Sequence, residues 1–281
     1  MPSLSAARFG LAHTLESGQF FRWTSDADGY LVQHGPRLFR VRQAGDRLDL
    51  EGAEPRAVRS FLALDHDAPA IERALRRDRR LHPALDAFPG LRILRQDPWE
   101  CTAAFILSIC SNIPRITGNV ADIARAWGAP VALGAFVSHA FPKPGRLGDE
   151  RELRRLRVGF RARYLVAAER LAERGLLDRV ARLPYERAKE SLLDVPGIAE
   201  KVADCILLFA YGHLNAFPVD TWIRKVMVGM FFGGRRVPDR AIRAFAQERW
   251  GRLAGYAQQY LYTWSRSRRR TAARLAAPVR R

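Results

Sequence analysis

The pattern of hydrophobic positions changes once along the chain. Between residues 18 and 50, short apolar runs are separated by turn residues such as Gly29, Gly35 and Gly45, a pattern typical of short antiparallel strands. From Pro55 onward, apolar residues recur at the spacing of one helix face. The sequence therefore predicts an α+β fold, in which a small N-terminal antiparallel β-sheet domain precedes a mainly α-helical body.

The periodicity also gives bounds for the individual elements and domains. The predicted strands are 20–23, 30–32, 38–41 and 48–50. The predicted helices are 56–64, 69–76, 98–110, 115–127, 150–157, 161–173, 185–193, 199–211, 220–231, 239–249 and 252–264. We divide the chain into an N-terminal β domain with flanking helices (1–80), a helical body (81–265) and a basic, disordered tail (266–281).

Charge suggests a partner for this fold. The 281 residues have a net charge of +18, and an apolar fraction of 48% is typical of a folded protein. Seven arginines lie in the tail, and the rest of the chain remains strongly basic. A polyanion such as nucleic acid is therefore the expected partner, although an arginine-rich proteome would also produce this excess. Lysine, by contrast, is rare: Lys143, Lys189, Lys201 and Lys225 are the four in the chain.

Several functional classes are disfavoured by composition. Cys101, Cys110 and Cys205 are too scattered to form a disulfide framework, a metal site or an iron–sulfur centre. The most apolar run, 205–211, is about a third of the roughly 20 residues that span a bilayer. The N-terminus lacks the features of a signal peptide. We expect a cytoplasmic monomer without a cofactor, catalytic metal or membrane contact, located at the nucleoid in a prokaryote or in the nucleus of a eukaryote.

Residues 185–231 carry the most informative pattern. A helix over 185–193 is followed by the turn Val195-Pro196-Gly197-Ile198-Ala199, and a second helix begins near Glu200. The backbone N–H groups of such a turn and of the next helix N-terminus suit a phosphate oxygen. Such turns are common, so this pattern alone does not identify a DNA-binding protein.

Lys201 lies in the first turn of the second helix, beside apolar positions. Arginine cannot replace an amine nucleophile because its guanidinium stays protonated, whereas a desolvated lysine can become neutral. A helix N-terminus also disfavours a cation. Lys201 is therefore a candidate nucleophile, and an ordinary surface lysine is the alternative.

Asp220 precedes the predicted helix 220–231. An acid at this position is first of all a helix N-cap, which contributes about 1 kcal/mol. A carboxylate fixed by backbone N–H groups is also the group that stabilises a developing oxocarbenium ion on a sugar. The two interpretations are compatible.

The segment 192–220, LLDVPGIAEKVADCILLFAYGHLNAFPVD, strongly resembles the helix-hairpin-helix DNA glycosylases, and its KVADC run resembles the 8-oxoguanine DNA glycosylase branch. Further motifs similar to that family follow one another in order from about residue 15 to 265. They are Ser17-Gly18-Gln19-Phe20-Phe21-Arg22-Trp23, Asp97-Pro98-Trp99-Glu100-Cys101, Asn112-Ile113-Pro114-Arg115-Ile116-Thr117-Gly118, Gly159-Phe160-Arg161-Ala162-Arg163-Tyr164 and Tyr256-Ala257-Gln258.

The resemblance implies a bifunctional base-excision repair enzyme that flips an oxidised purine out of duplex DNA. Lys201 would attack C1′ to form a Schiff base that permits β-elimination, and Asp220 would stabilise positive charge. Gly18 would read N7–H of 8-oxoguanine through its carbonyl, and Gln258 would read the Watson–Crick edge. The family pattern places four more residues in the lesion pocket, two of which, Cys205 and Tyr262, would sandwich the base: Cys205, Phe209, Pro218 and Tyr262.

The same resemblance implies contacts with the rest of the duplex. Asn112, Arg115, Phe160 and Arg161 would meet the orphaned base or fill the vacated stack. The phosphate-binding positions are Val195, Gly197, Ile198, Ala199 and Trp222. The chain departs from the family pattern at several of these sites: Cys110-Ser111-Asn112 replaces an Asn run, Phe160 a Tyr, Ala199 a Gly, Trp222 a His and Tyr262 a Phe.

Two alternatives remain open from the sequence. A monofunctional alkylpurine glycosylase, similar to 3-methyladenine DNA glycosylase II, would share the scaffold and the Asp but lack a lysine nucleophile. A non-catalytic helix-hairpin-helix module would use the hairpin only as a phosphate clamp. The endonuclease III type is disfavoured because the chain has no cysteine cluster.

Overall fold

The computed structural model describes the backbone of residues 2–275 and the side chains of residues 2–268. Its N-terminal strands are β1 (Ser3–Ser5), β2 (Trp23–Asp26), β3 (Gly29–His34), β4 (Arg37–Ala44) and β5 (Arg47–Glu51). They form one antiparallel sheet in the order β1-β5-β4-β3-β2. A separate hairpin joins β6 (Pro130–Leu133) to β7 (Phe136–His139).

Two-residue turns connect β3 to β4 and β4 to β5. Gly35 and Gly45 open these turns with φ of +54° and +59°, which glycine adopts without the strain of a Cβ. The resulting register places Val32, Phe39 and Val41 on the buried face of the sheet. This face packs against the first helices of the chain to form the N-terminal core.

The remaining described elements are helical, apart from short 3-10 turns at 79–81, 159–161 and 251–253. The helices are α1 (Leu11–Leu15), α2 (Pro55–Phe61), α3 (Ala68–Leu75), α4 (His82–Ala87), α5 (Pro98–Leu107), α6 (Ile113–Trp127), α7 (Glu150–Arg155), α8 (Ala162–Glu173), α9 (Leu176–Ala181), α10 (Tyr185–Leu193), α11 (Glu200–Phe209), α12 (Thr221–Phe231), α13 (Asp239–Trp250) and α14 (Ala254–Leu275).

The centre of the helical body is the contact between α5 and α11. Both helices are buried along most of their length, so their sequences lack a polar face. The rings of Phe105 and Phe209 stack between them with centroids 5.4 Å apart. This contact fixes the position of α11, which carries Lys201 in its first turn.

Side chains of the N-terminal segment tie the sheet to the helical body. Gln19 Nε2 donates to the carbonyl oxygen of Arg92 at 2.8 Å, and its Oε1 accepts from Leu94 N at 2.8 Å. Arg22 Nε lies 3.5 Å from Glu100 Oε1, and both side chains are buried. Two of the recognised motifs, around residues 17–23 and 97–101, therefore meet at the junction of the two cores.

Several predicted bounds were wrong. The strand expected at 20–23 begins only at Trp23, because Phe20 packs in the N-terminal core and Phe21 in the helical core. The β1 strand and the β6–β7 hairpin were not predicted. The division at residue 80 stays a prediction.

The tail expected to be disordered from residue 266 instead begins as a continuation of α14 through Leu275. Residues 276–281 lie outside the described part of the chain. Among the helices of residues 2–275, none combines the length and apolar character needed to cross a membrane.

Candidate active site

The helix-hairpin-helix consists of α10, residues 195–199 and α11. Val195 and Ile198 are buried, and Gly197 has φ of +86°. A Cβ at position 197 would lie 2.3 Å from Cγ of Tyr164, so both the backbone conformation and the ring beneath it require glycine. Ala199 caps α11 without a side-chain hydrogen bond. The first-turn N–H groups of α11 are thus left without a side-chain cap, as a phosphate site requires.

Lys201 packs against the C-terminal end of α5. Its Nζ donates to Ser108 Oγ at 3.0 Å, and lies 5.3 Å from the ring centroid of Phe105. Ser108 in turn donates to the carbonyl oxygen of Phe105 at 2.6 Å, which fixes the hydroxyl as an acceptor for the amine. The amine is therefore fixed in position beside an aromatic face.

Asp220 is the N-cap of α12, and its Oδ1 accepts from Ile223 N at 2.8 Å. Burial raises the pKa of Asp220, while backbone hydrogen bonds from Ile223 and Trp222 and the charge of Lys201 oppose that rise. The N-cap predicted from the sequence is confirmed. Lys201 and Asp220 act on each other electrostatically without forming an ion pair within 4 Å among the described residues.

Cys205 lies one turn after Lys201 on α11 and is buried. Burial raises the pKa of its thiol to about 12, and the charge of Lys201 opposes the rise. Burial also raises the pKa of Tyr262, with Asp220 and Cys205 adding to the effect. These electrostatic effects indicate that Cys205 on α11, Asp220 at the start of α12 and Tyr262 on α14 lie near one another.

Gln258 carries an unsatisfied buried polar atom in this site. Its Nε2 donates to the carbonyl oxygen of Pro218 at 3.3 Å, whereas its Oε1 is buried without a hydrogen-bond partner among the described residues. A buried amide oxygen that lacks a partner is costly in a folded protein and suits recognition of a ligand donor. Phe209, also expected in the pocket, is buried and stacks on Phe105.

Gly18 has φ of +85° and belongs to a loop that packs beside α14. A Cβ at this position would lie 2.1 Å from Nη1 of Arg266. Gln259 Nε2 donates to the carbonyl oxygen of Ser17 at 3.3 Å. Arg266 was assigned to a disordered tail from the sequence, although its spacing of four residues from Tyr262 places it on the same face of α14.

The residues expected to meet the opposite strand surround the start of α6. Asn112 is the N-cap of this helix, since its Oδ1 accepts from Arg115 N at 3.1 Å. The Arg115 side chain is exposed, and Nη2 donates to the carbonyl oxygen of Arg157 at 3.2 Å. Phe160 is exposed, as expected of a residue that inserts between bases.

Arg161 differs from the expectation of an accessible arginine. It is buried, and its guanidinium donates to the carbonyl oxygens of Ile109 at 2.6 Å, Cys110 at 2.7 Å and Val158 at 3.2 Å. Cys110 has φ of +47°, so the arginine secures an unusual backbone conformation in the loop before α6. A contact between Arg161 and the orphaned base stays a prediction, and it requires these hydrogen bonds to be exchanged.

Ser108 was missed by sequence reasoning because a hydroxyl near the end of a predicted helix carries no signal of its own. Within the described residues, no group of three or more His, Cys, Asp or Glu side chains is arranged to hold a metal ion. The expectation of an enzyme without cofactors remains a prediction.

Comparison with known proteins places this geometry in a family. Residues 3–102 match the family model for the N-terminal domain of 8-oxoguanine DNA glycosylase. A probable N-glycosylase/DNA lyase from Methanothermobacter thermautotrophicus is 36% identical over 212 residues, which cover 67% of this chain and 68% of the relative.

Two solved structures share the whole fold. MBOgg1 in complex with a low-affinity DNA ligand is 30% identical, with a TM-score of 0.91 and 95% of each chain covered. The Clostridium acetobutylicum 8-oxoguanine glycosylase/lyase, in complex with double-stranded DNA containing cytosine opposite 8-oxoG, is 31% identical, with a TM-score of 0.89 and 93% of each chain covered. The chain therefore belongs to the 8-oxoguanine DNA glycosylase family and is a base-excision repair N-glycosylase/DNA lyase.

Proposed function

We propose that this enzyme removes 8-oxoguanine from duplex DNA through a Schiff base on Lys201. The observation that carries the proposal is the position of the Lys201 amine, held by Ser108 near the Asp220 carboxylate and beside a pocket with an unsatisfied Gln258 oxygen. In the proposed step, Lys201 Nζ bonds to C1′ as the bond between C1′ and the base breaks. The ammonium loses one proton to the departing base, and the nitrogen lone pair then expels the ring oxygen O4′ from C1′. O4′ takes a proton from solvent, and the resulting protonated Schiff base permits β-elimination.

Asp220 stabilises the positive charge that develops on the sugar. Its position at the start of α12, with a hydrogen bond from Ile223 N, keeps the carboxylate in place without movement of the backbone. The geometry supports a shared electrostatic role with Lys201, since the charge of Lys201 favours the ionised form of Asp220.

The excised base occupies the pocket around Gln258. The Gly18 carbonyl accepts the extra N7–H of the oxidised purine, and Gln258 meets the Watson–Crick edge with its free Oε1. Cys205 and Tyr262 lie on the two faces of the ring, and Pro218 orients Gln258 through the hydrogen bond to its carbonyl.

The enzyme holds DNA as a monomer through backbone and arginine contacts. Val195, Gly197, Ile198 and Ala199 present the hairpin backbone to phosphates, and Trp222 extends that contact at the start of α12. Asn112, Arg115, Phe160 and Arg161 serve the opposite strand. The net charge of +18 adds long-range attraction to the duplex. Because the reaction uses protein side chains alone, we expect EDTA to leave it unchanged.

Borohydride trapping tests the Schiff base directly. The wild type should form a covalent complex with DNA that contains 8-oxoguanine opposite cytosine, and Lys201→Gln should form none while still binding the duplex. Lys225→Gln is the matched control, because it removes an exposed lysine from α12. Excision that persists in Lys201→Gln would assign the chemistry to a monofunctional mechanism, and failure of the wild type to excise would overturn the substrate.

A further inference from the structure

Arg266 lies on the face of α14 that carries the pocket residues. Gln258, Tyr262 and Arg266 follow one another at intervals of four residues, so their side chains point to the same side of the helix. The Arg266 guanidinium carbon lies 5.5 Å from the centroid of the Tyr262 ring. This face therefore extends one turn beyond the residues that the proposed function places around the base.

The guanidinium also reaches the loop that carries Gly18. Its Nη2 donates to the carbonyl oxygen of Glu16, and Nη1 is so close to Gly18 that a Cβ there would lie 2.1 Å away. With the bond from Gln259 to Ser17, two side chains of α14 hold the two carbonyls that precede Gly18. The loop that presents the Gly18 carbonyl is thus fixed from α14.

One nitrogen of the Arg266 guanidinium lacks an acceptor within the described part of the chain, although the side chain also forms a hydrogen bond with Tyr262. Nη1 is buried and has no hydrogen-bond partner among the described residues. A guanidinium nitrogen without an acceptor is costly to bury, and this one lies beside Gly18, whose carbonyl the proposed function places at the base.

We infer that Arg266 determines lesion specificity by donating through Nη1 to an exocyclic oxygen of the oxidised purine. This inference rests on the proposed function, in which the Gly18 carbonyl accepts N7–H. On such a base the carbonyl oxygens on C6 and C8 lie on either side of N7–H. The C8 oxygen is the one that guanine lacks, so a hydrogen bond from Nη1 to it favours the lesion. A charged donor to a carbonyl oxygen is among the stronger hydrogen bonds in a protein.

Arg266→Leu tests the inference, with Arg268→Leu as the matched control. Arg268 is exposed on the same helix, with its guanidinium 4.9 Å from Trp264, so the control removes an equal charge near the same surface. Single-turnover excision of 8-oxoguanine opposite cytosine should fall about 10- to 100-fold in Arg266→Leu, the range for one hydrogen bond to a charged group. Arg268→Leu should stay within about twofold of the wild type.

A duplex with a preformed abasic site separates base recognition from the chemistry of Lys201, because it reacts with Lys201 while no base fills the pocket. Gln259→Leu, which removes the other hydrogen bond from α14 to this loop, controls for loss of the loop anchor and should reduce excision less than Arg266→Leu. Nicking of this duplex should be unchanged in Arg266→Leu, and Arg266→Lys should restore part of the excision rate. If Arg266→Leu lowers the rates on the lesion duplex and the abasic duplex equally, Arg266 has only a structural role. If Arg266→Leu excises 8-oxoguanine faster than the wild type, Arg266 hinders binding of the base. Either result overturns the inference. If the wild type nicks the abasic duplex and excises no 8-oxoguanine, the proposed substrate fails instead.

Discussion

At the scale of single residues, the position of the Lys201 amine depends on a hydroxyl. Ser108 lies at the C-terminus of α5 and accepts from Lys201 while it donates to the backbone of Phe105. The amine is consequently oriented by a second helix and not only by its own. A lysine side chain otherwise has several rotamers, so this bond reduces the entropy lost on reaching C1′.

Ser108→Ala should lower the excision rate about fivefold, because one hydrogen bond contributes roughly 1 kcal/mol to the position of the amine. Single-turnover kinetics on the lesion duplex measures the effect. Ser191→Ala is the control, since its hydroxyl also donates to a backbone carbonyl but on the exposed face of α10. Equal rates for Ser108→Ala and the wild type would show that the amine is positioned by α11 alone.

At the scale of elements, the turn between α10 and α11 depends on the aromatic ring against which it packs. Gly197 packs on the ring of Tyr164 at the start of α8, so the turn at residues 195–199 rests on the segment that also carries Phe160 and Arg161. The position of this turn is therefore mechanically linked to that of Phe160 and Arg161.

Gly197→Ala should weaken duplex binding at least tenfold, because the new methyl group must displace either the turn or the Tyr164 ring. Gly175→Ala provides the control: φ there is +79°, yet no atom lies within 4 Å of the added Cβ. Both variants should lose about 1 kcal/mol of stability from the strained backbone. Duplex titration measures the difference between them, and similar affinities would mean that the contact with Tyr164 does not position the turn.

At the scale of the whole molecule, a buried pair joins the two cores. Burial raises the pKa of Glu100 to about 7, although the charge of Arg22 opposes the rise. Glu100 Oε1 also has no hydrogen-bond partner among the described residues, which is consistent with a costly charged form. The junction between sheet and helices is thus sensitive to pH.

The free energy of unfolding should decrease as the pH rises from about 4.5 through about 7. Because the pKa of Glu100 in the fold lies above its ordinary value of 4.5, the protonated form contributes fully below that value and its contribution is lost through pH 7. The shift corresponds to about 3 kcal/mol. Denaturant titration at several pH values should show a flatter profile for Glu100→Gln than for the wild type, with Glu248→Gln as the exposed control. Parallel pH profiles for Glu100→Gln and the wild type would show that Glu100 does not cause this pH dependence.

The fold class and the helix-hairpin-helix could be predicted because each has a local pattern, whereas the catalytic roles of Lys201 and Asp220 stay predictions. Asp220 lies at the start of a helical repeat, and Lys201 follows a Pro-Gly turn. Arg161 was expected at the DNA surface, but its burial depends on carbonyls about fifty residues earlier. The contacts of Ser108 and Arg266 were not predicted because their partners are likewise distant in the chain.

The adjacent residues Phe20 and Phe21 belong to different cores, and Leu94 of the helical segment lies in the N-terminal one. No single position in the sequence therefore separates the residues of one core from those of the other. The sheet and the helical body should therefore melt together rather than as separable modules. Evolution could consequently not exchange the N-terminal part alone. Such an exchange would leave a hole in each core, and the loop that carries Gly18 would lose its anchor.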